Sequence, residues 1–125
     1  MKALLVPVVI ILALVPSVVP LSAHHAWTVS YSKLVTVKGT VVRFEWGNPH
    51  PMITLEVPTA DGKAERWSIG GPAINRMEAN GWTKDTVKPG DVLTGTGYQF
   101  SDGQKIIRLD RVVFADGKEM RLYGR

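Results

Sequence analysis

The 125-residue chain contains no cysteine. That absence excludes a disulfide scaffold, thiolate metal sites, a cysteine nucleophile and a lipoprotein anchor. Histidine is nearly as scarce, with only His24, His25 and His50, and no His-x-x-x-His or Asp-x-His spacing occurs. Enzyme signatures are missing as well. There is no nucleophile-elbow motif and no phosphate-cradling glycine-rich loop ahead of a helix, so the chain leans away from an enzyme. Internal repeats and low-complexity stretches are absent. The formal net charge of +4 comes without any basic block. Such a spread excess assists contact with anionic surfaces but does not by itself indicate nucleic acid. Aromatic and basic residues are too sparsely interleaved for a nucleic-acid groove, and no nucleic acid is expected as a partner.

What is present begins with an apolar N-terminal stretch. Met1-Lys2 forms a minimal positive start, Ala3 to Val19 carries no charged side chain, and Leu21-Ser22-Ala23 ends the run. These are the parts of a secretory signal peptide over residues 1–23, cleaved after Ala23, which places the mature protein in the periplasm or outside the cell. The alternative is an uncleaved anchor, since Ala3 to Ala23 is long enough to span a bilayer. Pro7, Pro16 and Pro20 disfavour a continuous spanning helix, because each removes a helix hydrogen bond. Membrane contact is expected only through this segment, if it is retained. Cleavage after Ala23 makes His24 the first residue, whereas a cut after Ala26 removes both neighbouring histidines.

Residues 24–34 are read as an N-terminal arm and residues 35–125 as one domain, enough chain for a single core. Val35, Val37 and Val41 share one alternation phase, while Val42, Phe44 and Trp46 take the other. A phase change within a strand implies a bulge or sharp bend. Met52 to Val57 alternates as a second strand, Asp61-Gly62 marks a hairpin turn, and Ala64 to Ile69 returns as a third. Pro72 opens a short helix with Ile74 and Met77 on one face, and Gly81 stops it. Val92 to Phe100 and Ile106 to Phe114 form strands four and five around a Ser101-Asp102-Gly103 turn, and Met120 to Tyr123 reads as a short terminal strand. This order predicts an all-β fold with one short helix, a small five-stranded OB-like Greek-key barrel whose long bent first strand serves both halves of the sheet.

Five stretches carry a family resemblance: Ala23-His24-His25-Ala26, Val37-Lys38-Gly39-Thr40-Val41, Glu45-Trp46-Gly47-Asn48-Pro49-His50, Gly81-Trp82 and Lys88-Pro89-Gly90-Asp91. On these the chain resembles a family of small exported bacterial proteins of uncharacterised function. The Glu-Trp-x-Asn-Pro-His element is the most specific of them. Members usually carry a Phe or similar residue where this chain has Trp27. The resemblance implies export and a barrel-like domain, and it brings no substrate, cofactor or reaction.

The candidate chemistry is metal binding. A mature N-terminal His24 offers an amine and a ring nitrogen, and a second imidazole from His25 or His50 completes a set suited to copper or a similar metal. If the arm folds back along the first strand with a turn near Ser32-Lys33, each run spans roughly 35 Å. His24 and His25 then lie beside the proline-braced Asn48-Pro49-His50-Pro51 turn, where Asn48 sets the turn by an Asx-type hydrogen bond. Glu45 is expected as an outer acceptor that fixes an imidazole tautomer. The alternative is a non-metal binding module, with Trp46, Asn48, Trp67 and Tyr98 as candidate contacts for a small ligand, a glycan or an envelope protein partner. At least two of the tryptophans are expected simply to fill the core of so small a domain.

Overall fold

The computed structural model describes residues 28–121. Its elements are β1 (Val29–Glu45), β2 (Met52–Pro58), β3 (Ala64–Gly70), α1 (Ile74–Ala79), β4 (Val92–Phe100), β5 (Ile106–Phe114) and β6 (Glu119–Arg121). The order across the sheet is β3-β2-β1-β4-β5-β6, and a parallel β3–β5 pairing joins the first five strands into a ring. All other pairings are antiparallel. The fold is all-β with one short helix and OB-like, with β1 pairing β4 along its first half and β2 along its second. One circuit of the register runs Leu34, Tyr98, Arg108, Gly70, Met52, Glu45, leaving and rejoining β1 at different positions. Strands in such a ring are strongly tilted, which lets one strand serve both ends.

The phase change in β1 is real and its cause is visible. The register with β2 slips between Val41 and Arg43, so Val42 is the extra residue and is exposed. Val37 and Val41 point into the core before the bulge, and Phe44 packs against the core after it. Gly39 serves a close approach between strands. A Cβ there would sit 2.5 Å from the Glu56 carbonyl oxygen, inside any tolerable contact. β1 also starts earlier than its alternation suggests. Residues from Val29 onward already belong to the strand, and Ser32 and Lys33 lie inside it. The expected fold-back at these two residues therefore does not occur.

The core is built from alternate strand positions, namely Val37, Val41, Ile53, Leu55, Ile69, Leu93, Ile107, Leu109 and Val112. Burying each large aliphatic side chain contributes about 1.5–3 kcal/mol. Met77 of α1 and, after it, Trp82 and Val87 form a buried plug that joins this core. Met77 packs its thioether against Gly71, where a Cβ would overlap the sulfur and approach Cε to 3.2 Å. The Trp82 indole Nε1 donates to the Arg121 carbonyl at 3.2 Å, fastening the plug to β6. A buried indole N–H needs such an acceptor, and β6 supplies it.

Candidate functional site

His50 follows the bulged half of β1 in the connection to β2. Its ring Nδ1 lies 3.1 Å from the Gly71 carbonyl oxygen. The Gly71 amide in turn donates to the Pro51 carbonyl at 2.9 Å, closing a small cross-link between this turn and the end of β3. A carbonyl oxygen only accepts, so Nδ1 carries a proton and donates in this contact. Backbone rather than a carboxylate therefore sets the tautomer. Glu45, the expected acceptor, instead pairs with Arg43 at 2.7 Å. The Asn48–Pro49 peptide is cis. Among the described residues Asn48 makes no Asx-type bond, and its side chain stands exposed on the turn.

The remaining candidate residues divide. Trp46 is partly buried against the core and meets Phe44 edge-on, with ring centroids 5.7 Å apart. Trp67 points inward from β3, packs against the core and donates its indole N–H to Glu65 at 2.8 Å. Both act as core-filling rings. Glu65 also pairs with Lys105, and the two bonds hold its carboxyl below the usual value, the Lys105 contact first and the Trp67 contact second. Tyr98 differs from the tryptophans. It sits on the outer surface, with its ring centroid 5.3 Å from that of Tyr31. His24 and His25 lie outside the described residues, and among those described no group of three or more His, Cys, Asp or Glu is placed to hold a metal.

Sequence reasoning missed Tyr31, Arg108 and Asp110. The Arg108 guanidinium donates to the Tyr31 hydroxyl and lies 5.9 Å from the centroid of the Tyr31 ring. Arg108 is the register partner of Tyr98 on one side and of Gly70 on the other. Gly70 precedes Gly71, the residue that holds His50. The N-terminal part of β1 is thus linked through Tyr31 and Arg108 to the side of the ring where His50 sits. The Ser101-Asp102-Gly103 turn announces the β4–β5 hairpin, but the pairing of Tyr98 with Arg108 is centred one residue later, on Gly103, so the turn alone does not give it. Tyr31 had no comparable signal, because its segment carries no clean alternation.

Fold and site together define a small OB-like domain with a backbone-oriented histidine at one end of the ring. The chain belongs to the family of unknown function DUF6152, whose model matches residues 12–107. Among curated proteins none is matched by the sequence. In structure it is similar to the mitochondrial single-stranded DNA binding protein Rim1 from S. cerevisiae, with a TM-score of 0.51 and 9% identity over 66% of this chain and 93% of that one. At that identity the likeness concerns the fold alone.

Proposed function

We propose that this chain is an exported binding protein that holds copper or a similar first-row metal through His50 together with the N-terminal histidines His24 and His25. The observation that carries the reading is the Nδ1 contact of His50 with the Gly71 carbonyl. Metal-ligating histidines characteristically donate their other ring N–H to a carbonyl or carboxylate, which fixes the ring and raises the basicity of the ligating nitrogen. His50 has that arrangement, in a turn restrained by Pro49, Pro51 and the Gly71–Pro51 hydrogen bond. The apolar N-terminal segment ending at Ala23 supports export and a mature start at His24, whose amine and ring form a chelate.

Ser32 and Lys33 lie within β1, so the proposed site does not use a turn at these residues. Support for another route comes from Thr28, whose carbonyl accepts from the Ser101 amide at 3.0 Å at the end of β4, and from Tyr31, which reaches Arg108 beside Gly70. Intact-mass measurement of the exported protein is expected to show His24 as the first residue. Cu(II) titration of that form is expected to be weakened about tenfold or more in both His24→Ala and His50→Ala, since even outer-shell changes at metal sites act on that scale. Equal affinity in all three proteins refutes the ligand assignment, and a mature start beyond His25 removes the N-terminal ligands.

A further inference from the structure

On the outer face of the ring, Tyr31, Tyr98, Arg108, Leu109 and Asp110 line a groove of about 180 Å³. We infer that this groove is a binding site for a single ring of a neutral sugar, separate from the metal site proposed at His50. Two irregularities of the sheet build it. Between Val29 and Leu34 β1 advances five positions while its partner β4 moves only from Phe100 to Tyr98, and this excess carries Tyr31. On β5 the register with β4 slips opposite Thr96 and Gly97, which leaves Asp110 as the extra residue. Bulges of this kind re-aim side chains and gather at barrel rims and binding sites. Here two of them, on strands either side of β4, direct their residues to one place.

The lining selects the ligand class. Tyr31 and Tyr98 are inclined at 55° to one another, so their faces form a bent apolar wall. Aromatic faces of this kind pack against the C–H faces of a sugar ring. Arg108 and Asp110 both line the groove, the first with guanidinium donors and the second with carboxylate acceptors, Asp110 itself 3.7 Å from Arg111. Donor and acceptor in one groove match the hydroxyl groups of a sugar ring, each of which both donates and accepts. The Asp110 carboxylate accepts a hydrogen bond from a hydroxyl, which a phosphate or carboxylate oxygen placed against it cannot donate. The volume lies below the roughly 300–1,000 Å³ of sites that take drug-sized ligands, so one ring fits and the rest of a saccharide projects into solvent. Tyr31 is 64% exposed, which suits a side chain that stacks on a ligand rather than filling the core.

The test is saturation-transfer NMR on the full mature protein in EDTA, so that the result does not depend on metal. The probes are maltose, cellobiose and N,N′-diacetylchitobiose. At least one is expected to show transfer to its ring C–H protons, with a millimolar Kd appropriate to about a dozen contacting heavy atoms. Tyr31→Ala is expected to abolish transfer while leaving the fold intact. Tyr98→Phe retains binding and Tyr98→Ala loses it, whereas Arg108→Gln weakens it roughly tenfold, corresponding to about 1.4 kcal/mol. No transfer from any of the three sugars overturns the assignment. So does binding that survives in both Tyr31→Ala and Tyr98→Ala, or tighter binding of glucuronate or an oligo-dT strand than of the neutral sugars.

Discussion

Gly97→Ala is the most informative single change in the scaffold. A Cβ at Gly97 would overlap the Arg108 carbonyl oxygen and lie 2.8 Å from the Arg108 carbonyl carbon and 3.2 Å from the Leu109 Cα. All three atoms are backbone, so no rotamer change relieves the overlap and β5 must move away from β4. Overpacking of this sort costs about 1–3 kcal/mol. Losing one ladder hydrogen bond as the strands part adds about 1 kcal/mol, which gives about 2–4 kcal/mol in all. With a urea m-value of about 2 kcal/mol/M, mid-range for small domains, the unfolding midpoint is expected to fall by about 1–2 M at unchanged m. Gly47→Ala is the matched control. An added Cβ there meets nothing within 4 Å and Gly47 has no positive φ. The same methyl group is therefore expected to be neutral or to stabilise by about 0.4–1 kcal/mol through the unfolded chain. A Gly97→Ala midpoint within about 0.3 M of the wild type would show that the β4–β5 approach is not as close as described.

Four further outcomes are expected. Trp82→Ala, which empties the plug and removes the bond to Arg121, should destabilise by about 3–5 kcal/mol in the same urea assay. The Trp67 indole N–H resonance should titrate with Glu65, whose folded pKa is lowered first by Lys105 and then by Trp67. A lowered folded value means that the interaction is present above the ordinary Glu range and is lost as pH falls through that lower value. The resonance midpoint should accordingly lie below the usual Glu value, and it should disappear in Glu65→Gln. Tyr31→Ala should leave the urea midpoint within about 0.5 kcal/mol of the wild type, because the side chain is exposed, while abolishing sugar-dependent saturation transfer. Cu(II) affinity of the mature protein should fall as pH drops below about 8, where the terminal amine takes up its proton.

Much of the fold was legible because its strands are amphipathic. β4 and β5 were readable to their ends, since turn residues bound them and their inward positions alternate cleanly up to the bulge at Asp110. The bend in β1 was legible from the opposed phases of Val41 and Phe44. The first six residues of β1 were not, because Ser30, Ser32 and Lys33 carry no apolar period and lie in a register irregularity between the Val29 and Leu34 pairings with β4. The site was less legible than the fold. His50 was visible from its proline-braced turn, but its partner, the Gly71 carbonyl, is a backbone atom that carries no side-chain signal and comes near through the β2–β3 register that sets Met52 opposite Gly70. Trp46 and Trp67 looked like ligand-facing rings from composition, but both pack against the core, Trp67 opposite the buried Leu55 and Trp46 against Phe44. The Tyr31–Arg108 contact joins residues far apart in sequence through two strand irregularities that no local pattern announces.

The central claim is that His50 binds metal through Nε2 while Nδ1 stays hydrogen-bonded to Gly71. It is tested most directly by ¹⁵N NMR of the histidine rings of the mature protein during titration with Zn(II), a diamagnetic metal that takes the same nitrogen ligands. One equivalent of Zn(II) is predicted to shift the Nε2 resonance of His50 and to leave its Nδ1 protonated. Ring resonances of His50 that stay unchanged at one equivalent, or a metal-induced shift at Nδ1 in place of Nε2, would contradict it.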